Sequence, residues 1–599
     1  MTNDEYGNRE RHEGGAYPRK AVRPLWRKEC VHGGVRFPAS PASFGLRVKE
    51  EGKEFRVPSD VEEFVVQFAD MVARDHPHTK NAAFVANFDT DLKSMWRPAS
   101  SPKKSGGDGE GRARDWNWDF VIDQIRQKRE KAIKSRKGQR KKAEAEAPTV
   151  RIDGQDYATS RNVVDKPGIF IGRGERHPLN GRIRRRIRAS DVSLNLSRDA
   201  SVPVPPKGSG GKAWREVLHD PCVSWLSRWE DPLTGSMKYV YVDGSSAMRQ
   251  HHERRKFDKA RELKRHLPEI LAAMDRDMTQ TEDAVLSQLA ACARLIEIFG
   301  IRSGNDTQRS DQKDDEDDDD EESGGTVGAT SLRKRNVMLR VLPKTGEKEV
   351  RLRFVGKDHI SFDDSKVVPI GLFDRLSSLK RKKNDSDDDL LFNHATADAV
   401  NRYLDALLPG LTCKVMRTHR ASRLVDMRLS RATSSTVAPS HTRTQGKPKE
   451  KDDRLKRDLL AVVLLEAAWL MNHKKKTTFI RASEKDDMER KHTALHATFG
   501  DLCDAVWDSV IALAGSRIKI QNDKNNARQH QQLLDRTQEA RRVAAELHLA
   551  PQTAKVNYID PRIVMAYCKR VGLSNDRAYN SGQLSRFSWA ATAPANFAF

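Results

Sequence analysis

The chain has 599 residues, of which 32% are charged and 37% hydrophobic, so it is long enough to form several domains with cores of their own. Its 108 lysine and arginine residues outnumber 85 aspartate and glutamate residues, which gives a formal net charge of +23. Such an excess predicts a polyanionic partner, most simply nucleic acid, although a basic protein without that role would carry the same charge.

The cysteines and the apolar runs argue against further classes of protein. The six cysteines are scattered without a Cys-x-x-Cys pair, which disfavours a disulfide framework or a structural zinc site. The most apolar run, residues 459–471, is interrupted by Glu466 and is shorter than the roughly 20 residues of a membrane helix. The first residues lack the apolar core of a secretory signal. We therefore expect a reducing compartment and no membrane partner.

The N-terminal part of the chain is predicted to form a polar tail, residues 1–21, followed by a lobe over residues 22–236. This lobe contains a glycine- and arginine-rich segment around Arg173, where glycines allow close backbone approach and guanidinium groups suit phosphate oxygens. A glycine-rich stretch at 208–212 fails the Walker A pattern, because Ala213 replaces the required serine or threonine. No nucleotide-hydrolysis site is therefore expected.

The remainder is predicted to form a second lobe over residues 237–476, a helical hairpin over 477–550 and a C-terminal segment over 551–599. The hairpin is indicated by apolar residues that recur at three- and four-residue spacing. An almost entirely acidic insertion, residues 310–325, interrupts the second lobe, and charge repulsion should keep it disordered. The C-terminal segment ends in aromatic residues that we expect to dock on the core.

Two predicted elements of the second lobe present basic side chains. A helix with a capping box at Thr279 and one apolar face ends at Gly300, so it delivers Arg302 directly after its C-terminus. Further on, a strand in which apolar residues alternate with arginines leads into a turn, which places Lys357 and Asp358 at the tip of a hairpin.

Two later helices carry further candidates. The first opens near Lys414 and carries Arg417 one turn later. The second is the apolar run 459–471, which we interpret as a buried helix that delivers His473 at its C-terminal end.

The last candidate is Tyr558, in a short polar turn bracketed by Lys555 and Arg562. This placement suits a phenol that reacts with a phosphate better than one that packs. A tyrosine hydroxyl, with a model-peptide pKa of about 10, is a weak nucleophile unless its surroundings help.

Taken singly, these residues have ordinary explanations as solvated, capping or salt-bridge side chains. Taken together, they meet the needs of an attack on a phosphodiester. Two guanidinium groups can hold the non-bridging oxygens, an imidazole N–H can donate a third hydrogen bond, and an ammonium can protonate the departing oxygen. Because the bond energy is kept in a phosphotyrosine, the chemistry needs neither metal nor ATP, and no cofactor is expected.

Five segments that hold these residues resemble, in the same order, the catalytic motifs of eukaryotic type IB DNA topoisomerases. They are Arg302-Ser-Gly-Asn, Gly356-Lys357-Asp358, Lys414-Val-Met-Arg417-Thr, Asn472-His473 and Lys555-Val-Asn-Tyr558. The resemblance implies one role for each of five residues: nucleophile for Tyr558, phosphate clamp for Arg302 and Arg417, general acid for Lys357 and transition-state donor for His473. It also implies DNA contacts near the cleaved bond for Arg173, Asp358, Lys414 and Asn557.

The resemblance extends from about residue 22 to the end and also implies a fold. That fold is mixed α/β and multidomain: a two-lobed DNA clamp with a largely helical catalytic lobe, a small antiparallel sheet and a protruding antiparallel helical hairpin. The implied activity is relaxation of supercoiled double-stranded DNA by a nuclear monomer, through a 3′-phosphotyrosine intermediate. Ala554, which stands where the family signature has serine, departs from the pattern.

Two alternatives stay open at this point. A tyrosine site-specific recombinase uses the same transesterification, but such enzymes usually have a His-x-x-Arg pair, and Lys414 occupies the histidine position here. The long hairpin before Tyr558 also favours strand rotation over strand exchange. A non-catalytic DNA-binding relative would keep the fold without activity, whereas all five catalytic positions are occupied here.

Overall fold

The structure is a computed structural model that describes residues 26–39, 43–50, 53–96, 116–136, 149–160, 162–172, 177–206, 208–211, 213–223, 225–280, 282–304, 327–356, 361–381, 386–435, 448–474, 485–518 and 523–599. These residues divide into two compact units, one within 26–246 and one within 247–599. The structure is 53% helical and its strands form several small sheets. The predicted fold class, mixed α/β and multidomain, is confirmed. The predicted acidic insertion lies outside the described residues.

The first unit combines short strands with three described helices. Its strands are β1 (Cys30–His32), β2 (Arg47–Glu50), β3 (Lys53–Arg56), β4 (Thr149–Ile152), β5 (Gln155–Ala158), β6 (Gly168–Ile169), β7 (Ile183–Arg184), β8 (Val192–Asn195), β9 (Glu216–Leu218), β10 (Trp225–Glu230) and β11 (Met237–Tyr241). Its helices are α1 (Glu62–Ala73), α2 (Ala82–Met95) and α3 (Trp118–Arg136). The largest sheet has the strand order β11-β10-β8-β9, in which only the β8–β9 pair is parallel.

Aromatic side chains join the three helices of this unit. Helix α1 buries Phe64 and Phe68, and the Phe68 ring stacks on that of Phe88 in α2 with centroids 4.3 Å apart. Trp118, the first residue of α3, has its ring 4.9 Å from that of Phe68. Helix α1 therefore owes its place to apolar residues at helical spacing.

The second unit is mainly helical. Its helices are α4 (Ala247–Thr279), α5 (Ala284–Phe299), α6 (Ile370–Lys380), α7 (Ala397–Leu407), α8 (Cys413–Ser435), α9 (Pro448–Leu470), α10 (Lys485–Ile518), α11 (Asp523–Glu546), α12 (Pro551–Asn557), α13 (Pro561–Val571) and α14 (Ser581–Arg586). Its strands are β12 (Val337–Val341), β13 (Lys348–Val355) and β14 (Ser361–Val367), which form one antiparallel sheet.

The start of α5 differs from the predicted one. Thr279 is the last residue of α4, and its hydroxyl donates back to the Arg276 carbonyl at 2.6 Å. Asp283 caps α5 instead, because its carboxylate accepts from the Leu286 amide at 2.9 Å. The predicted capping box at Thr279 is therefore wrong, since Thr279 still belongs to the preceding helix α4.

Strand β13, in its hairpin with β14, matches the predicted strand in which apolar residues alternate with arginines. Val350 and Leu352 are fully buried, whereas Arg351 between them is half-buried and pairs with Asp363 on β14. Val355 pairs with Ser361, and residues 357–360 at the tip lie outside the described part of the chain.

Helices α10 and α11 pack along each other, with Trp507 and Leu533 fully buried. Only four residues separate them, so they run antiparallel, as predicted for a helical hairpin. The aromatic tail also docks as predicted, since Phe587 and Phe599 are buried in the core of the second unit. Among the described residues, no helix combines the length and the apolarity needed to cross a membrane.

Candidate active site

Tyr558 lies in the short link between α12 and α13, within the core of the second unit. Its amide donates to the Ala554 carbonyl at 2.9 Å, which closes the last turn of α12. Two residues later the Asp560 carboxylate accepts from the Arg562 amide at 3.0 Å and caps α13. The predicted turn is confirmed, and the Tyr558 side chain that it carries is buried, with 8% of its surface exposed.

The two basic residues that bracket the tyrosine are structural. Lys555 Nζ donates to the carbonyl of Ala578 at 2.6 Å, and burial lowers the pKa of its amino group. Arg562 forms ion pairs with Asp560 and Asp258, each at 2.7 Å. Both side chains are buried and anchor the helices around the link.

Helix α8 places Arg417 against the phenol. Its Nη1 donates to Tyr558 Oη at 2.5 Å, and its guanidinium carbon lies 4.4 Å from the ring centroid. On another edge, Nε donates to the Gly300 carbonyl at 2.8 Å. A buried guanidinium held at two edges has a fixed direction. It therefore places positive charge at the phenol oxygen.

Cationic side chains hold the C-terminal end of α5. The Arg420 guanidinium donates to the carbonyls of Glu297 and Ile298, and Lys366 Nζ donates to the Ile298 carbonyl at 3.1 Å. Cations at this end stabilise a helix, because they interact favourably with the partial negative charge of its last carbonyls. Burial lowers the pKa of both Lys366 and Arg420.

Arg302 is half-buried in the loop that follows α5. Gly300 ends the helix with a φ of +67°, a conformation that glycine adopts without a Cβ clash. The Arg302 carbonyl then accepts from the Ala329 amide at 2.8 Å. Two residues further, Gly304 and Gly328 come into close backbone contact. The loop that carries Arg302 is thus held at both ends.

A Schellman motif at the end of α9 sets the position of His473. The Asn472 amide donates to the Trp469 carbonyl at 3.0 Å, and the His473 amide donates to the Ala468 carbonyl at 2.8 Å. Asn472 has a φ of +53°, which asparagine tolerates better than most residues. The His473 ring then lies 5.4 Å from the Tyr558 ring, measured between centroids. The predicted delivery of His473 by a buried helix is confirmed.

The segment after α9 also joins the start of the tyrosine helix. The Ala550 amide, directly before α12, donates to the His473 carbonyl at 2.8 Å. The main chains of Lys474 and Leu549 form an isolated antiparallel β-bridge. Burial lowers the pKa of Lys474 to about 8, although the carboxylates of Asp363 and Asp364 on β14 favour its charged form.

The structure thus brings together three of the five predicted catalytic residues, Arg417, His473 and Tyr558, and puts Arg302 on the loop that Arg417 contacts. Lys414 lies one turn before Arg417 on α8, and Asn557 ends α12 beside the tyrosine; both are half-buried. Three other predicted site residues lie outside the described part of the chain: Arg173, Lys357 and Asp358.

Sequence reasoning missed Ser422, whose hydroxyl contacts the link that carries Tyr558. It also missed Arg420 and Lys366 at the end of α5. The available signal for Ser422 was a small polar residue in the buried stripe of α8, between Ala421 and Val425. That pattern does not reveal the partner, which lies 136 residues away in the chain.

Three sequence-family models match successive parts of the chain. The model for the eukaryotic DNA topoisomerase I DNA binding fragment matches residues 26–242. The model for the eukaryotic DNA topoisomerase I catalytic core matches residues 245–504, and that for the C-terminal topoisomerase domain matches residues 529–599.

Full-length relatives agree with these matches. The chain is 26% identical over 585 residues to DNA topoisomerase 1 beta of Arabidopsis thaliana, which covers 96% of this chain and 59% of the relative. It is 29% identical over 561 residues to DNA topoisomerase 1 of Drosophila melanogaster (92% and 53%), and 28% identical over 569 residues to that of Homo sapiens (92% and 69%). The chain therefore spans between about half and two thirds of the length of these relatives. With nearly all of its length matched by the three models, the chain belongs to the eukaryotic DNA topoisomerase I family.

Proposed function

We propose that this chain is a type IB DNA topoisomerase that relaxes supercoiled double-stranded DNA through a 3′-phosphotyrosine at Tyr558. The observation that supports this most directly is the contact of the Arg417 guanidinium with the phenol oxygen, in a chain of this family. The adjoining His473 ring adds a hydrogen-bond donor. A nucleophile, a fixed positive charge and a donor thus meet at one place.

In the proposed cleavage step, Tyr558 loses its proton to solvent and its oxygen attacks phosphorus. A bond from phosphorus to the tyrosine oxygen forms, and the bond to the 5′-oxygen breaks. Arg302 and Arg417 hold the non-bridging oxygens while His473 donates a further hydrogen bond, so fixed donors meet the charge of the transition state. Lys357 protonates the departing 5′-oxygen as general acid.

Religation reverses these bonds. The 5′-hydroxyl attacks the phosphotyrosine and the phenol leaves, after the cut strand has rotated around the intact one. Because one phosphoester replaces another in each direction, no external energy source is needed.

Arg417 has a double role in this scheme. A guanidinium has five N–H donors, so Arg417 can keep its bond to Gly300 while it donates to a phosphate oxygen. The same group stays beside the tyrosine oxygen, where its charge stabilises an anionic nucleophile. We therefore assign to Arg417 the largest single contribution to the cleavage rate apart from that of the nucleophile.

The DNA partner is supported by the net charge of +23 and by the match to a DNA binding fragment. We assign Arg173, Asp358, Lys414 and Asn557 to DNA contacts near the cleaved bond. Residues 22–236 would act as the cap and DNA-binding lobe and 237–476 as the catalytic lobe of a clamp that closes on the duplex as a monomer. The hairpin 477–550 protrudes in this scheme, and segment 551–599 carries the nucleophile.

We propose a nuclear location, because the chain resembles relatives named DNA topoisomerase 1, although one relative from Rattus norvegicus is named mitochondrial. Fluorescence imaging of the tagged full chain tests this assignment.

The activity is tested with purified protein and supercoiled plasmid, without ATP and with EDTA. Wild type should relax the plasmid, with a steep loss of activity as salt rises, and should leave a covalent protein–DNA adduct after detergent quench. Tyr558→Phe should do neither. No adduct from wild type would favour the non-catalytic alternative, and strand exchange between two DNA duplexes would favour the recombinase.

A further inference from the structure

The geometry points to Ser422 as a positioning residue for the nucleophile. This inference rests on the proposed function and names a residue that acts through Tyr558 without touching DNA. Ser422 fixes the main chain of the link, at the Tyr558 carbonyl and at the Asp560 amide, to the same helix that carries Arg417, and thereby sets the direction from which the phenol oxygen approaches phosphorus.

Two hydrogen bonds of one hydroxyl carry this inference. Ser422 Oγ donates to the Tyr558 carbonyl at 3.0 Å and accepts from the Asp560 amide at 2.9 Å. Ser422 has no exposed surface, and Asp560 has none either. A hydroxyl is both donor and acceptor, so this one side chain holds both ends of the link.

The link needs such a hold because it is neither helix nor strand. Only Tyr558, Ile559 and Asp560 separate α12 from α13, so a small rotation of either helix would swing the phenol. Ala554 lies in the last turn of α12, just before the link, and its methyl side chain cannot form a hydrogen bond. The side-chain contact to the link comes instead from α8.

Ser422 lies on the same helix, α8, as Arg417, and this connects its contact with the link to the proposed function. Arg417 lies five residues earlier on the same helix, about 7.5 Å along its axis. Ser422 holds the main chain of Tyr558 while Arg417 contacts its phenol oxygen, so one rigid helix holds both ends of the same residue. Nucleophile and phosphate clamp therefore keep one relative geometry through cleavage and religation.

The test compares Ser422→Ala with Ser287→Ala. Ser287 on α5 is equally buried, and its hydroxyl donates to the Met278 carbonyl at 2.7 Å, away from the tyrosine link. Both variants lose one buried serine hydroxyl, and urea unfolding measures their stability loss. Single-turnover cleavage of an oligonucleotide duplex gives the rate constant of the chemical step, and a binding titration gives the DNA affinity.

We expect Ser422→Ala to slow cleavage and religation by about 10- to 100-fold with the dissociation constant for DNA within about twofold of wild type, since a misplaced reacting group reduces the rate by up to about 100-fold. Ser287→Ala should cleave within about twofold of wild type. Ser422→Cys, which leaves no cavity but hydrogen-bonds weakly, carries the test if the alanine variant does not fold.

Wild-type cleavage by Ser422→Ala, or an equal loss in Ser287→Ala, would overturn the role of Ser422 and leave the proposed function intact. Absence of cleavage by wild type itself would instead refute the proposed function.

Discussion

Gly304 and Gly328 meet backbone to backbone, so tightly that neither position has room for a side chain. A Cβ placed on Gly328 would lie 2.3 Å from the Cα of Gly304, and one placed on Gly304 would lie 2.8 Å from the Cα of Gly328. The contact closes the loop that begins with Arg302, and every residue between the two glycines except Val327 lies outside the described part of the chain.

We expect Gly328→Ala to destabilise the fold by about 1–3 kcal/mol and to reduce DNA relaxation, because the added methyl group pushes the Arg302 loop away. Gly328 has a φ of −132°, so alanine fits the backbone and the substitution tests the close contact alone. Urea unfolding and plasmid relaxation measure the two effects. Gly371→Ala is the control, since that site on α6 has open space and should be neutral or gain up to about 1 kcal/mol. Equal behaviour of the two variants would contradict the prediction.

The acidic insertion can be tested through the same contact. Because the glycines lie side by side, we expect a short Gly/Ser connection in place of residues 310–325 to close the loop and leave the unfolding free energy within about 0.5 kcal/mol. DNA should bind more tightly at low salt, since negative charge near Arg302 is removed. A neutral Gly/Ser insertion of the original length separates charge from loop length. Weaker DNA binding by both variants would show that the insertion assists binding.

Arg417→Lys should reduce the cleavage rate by about 100- to 1,000-fold while DNA affinity changes little. One ammonium cannot reproduce the fork that reaches Gly300 and the Tyr558 oxygen together. Single-turnover cleavage and a binding titration measure the two quantities. Arg402→Lys, in a half-exposed ion pair with Asp398 on α7, is the matched control and should keep the wild-type rate. A lysine variant that cleaves normally would remove Arg417 from the proposed mechanism.

Lys474 makes stability depend on pH in a predictable direction. Its pKa is about 8 in the folded protein, below the value of about 10.4 in an unfolded chain, so the unfolded state binds more protons between these two pH values. The contribution of Lys474 to the unfolding free energy therefore rises as pH increases from about 8 to 10.4. Below pH 8 the buried charge costs up to about 3 kcal/mol.

Lys474→Met should accordingly be more stable than wild type at pH 7 and about equal to it at pH 10.5, as measured by urea unfolding at each pH. Lys344→Met, at an exposed turn between β12 and β13, is the control because solvent screens its charge. A stability difference for Lys474→Met that is the same at both pH values would contradict the assignment.

Several parts of the site were predictable because their causes are local. Gly300 and Asn472 end α5 and α9 through backbone conformations that involve only neighbouring residues, so the positions of Arg302 and His473 just beyond these helices follow from sequence. The surroundings of Lys555 were not predictable in this way. A basic residue beside a tyrosine suggests a phosphate site, but the partner of its amino group, the Ala578 carbonyl, is brought there by tertiary packing.

The sequence by itself determined the family motifs, their order along the chain and the helices and hairpin that carry them, because periodicity and helix-ending signals act over a few residues. Only the tertiary structure decided that the Arg417 guanidinium reaches the Tyr558 oxygen, that Ser422 holds the same residue, and that Gly304 meets Gly328. The partners of Tyr558 in these contacts lie more than 130 residues away in the chain. Their pairing depends on how whole helices pack, which no short stretch of sequence specifies.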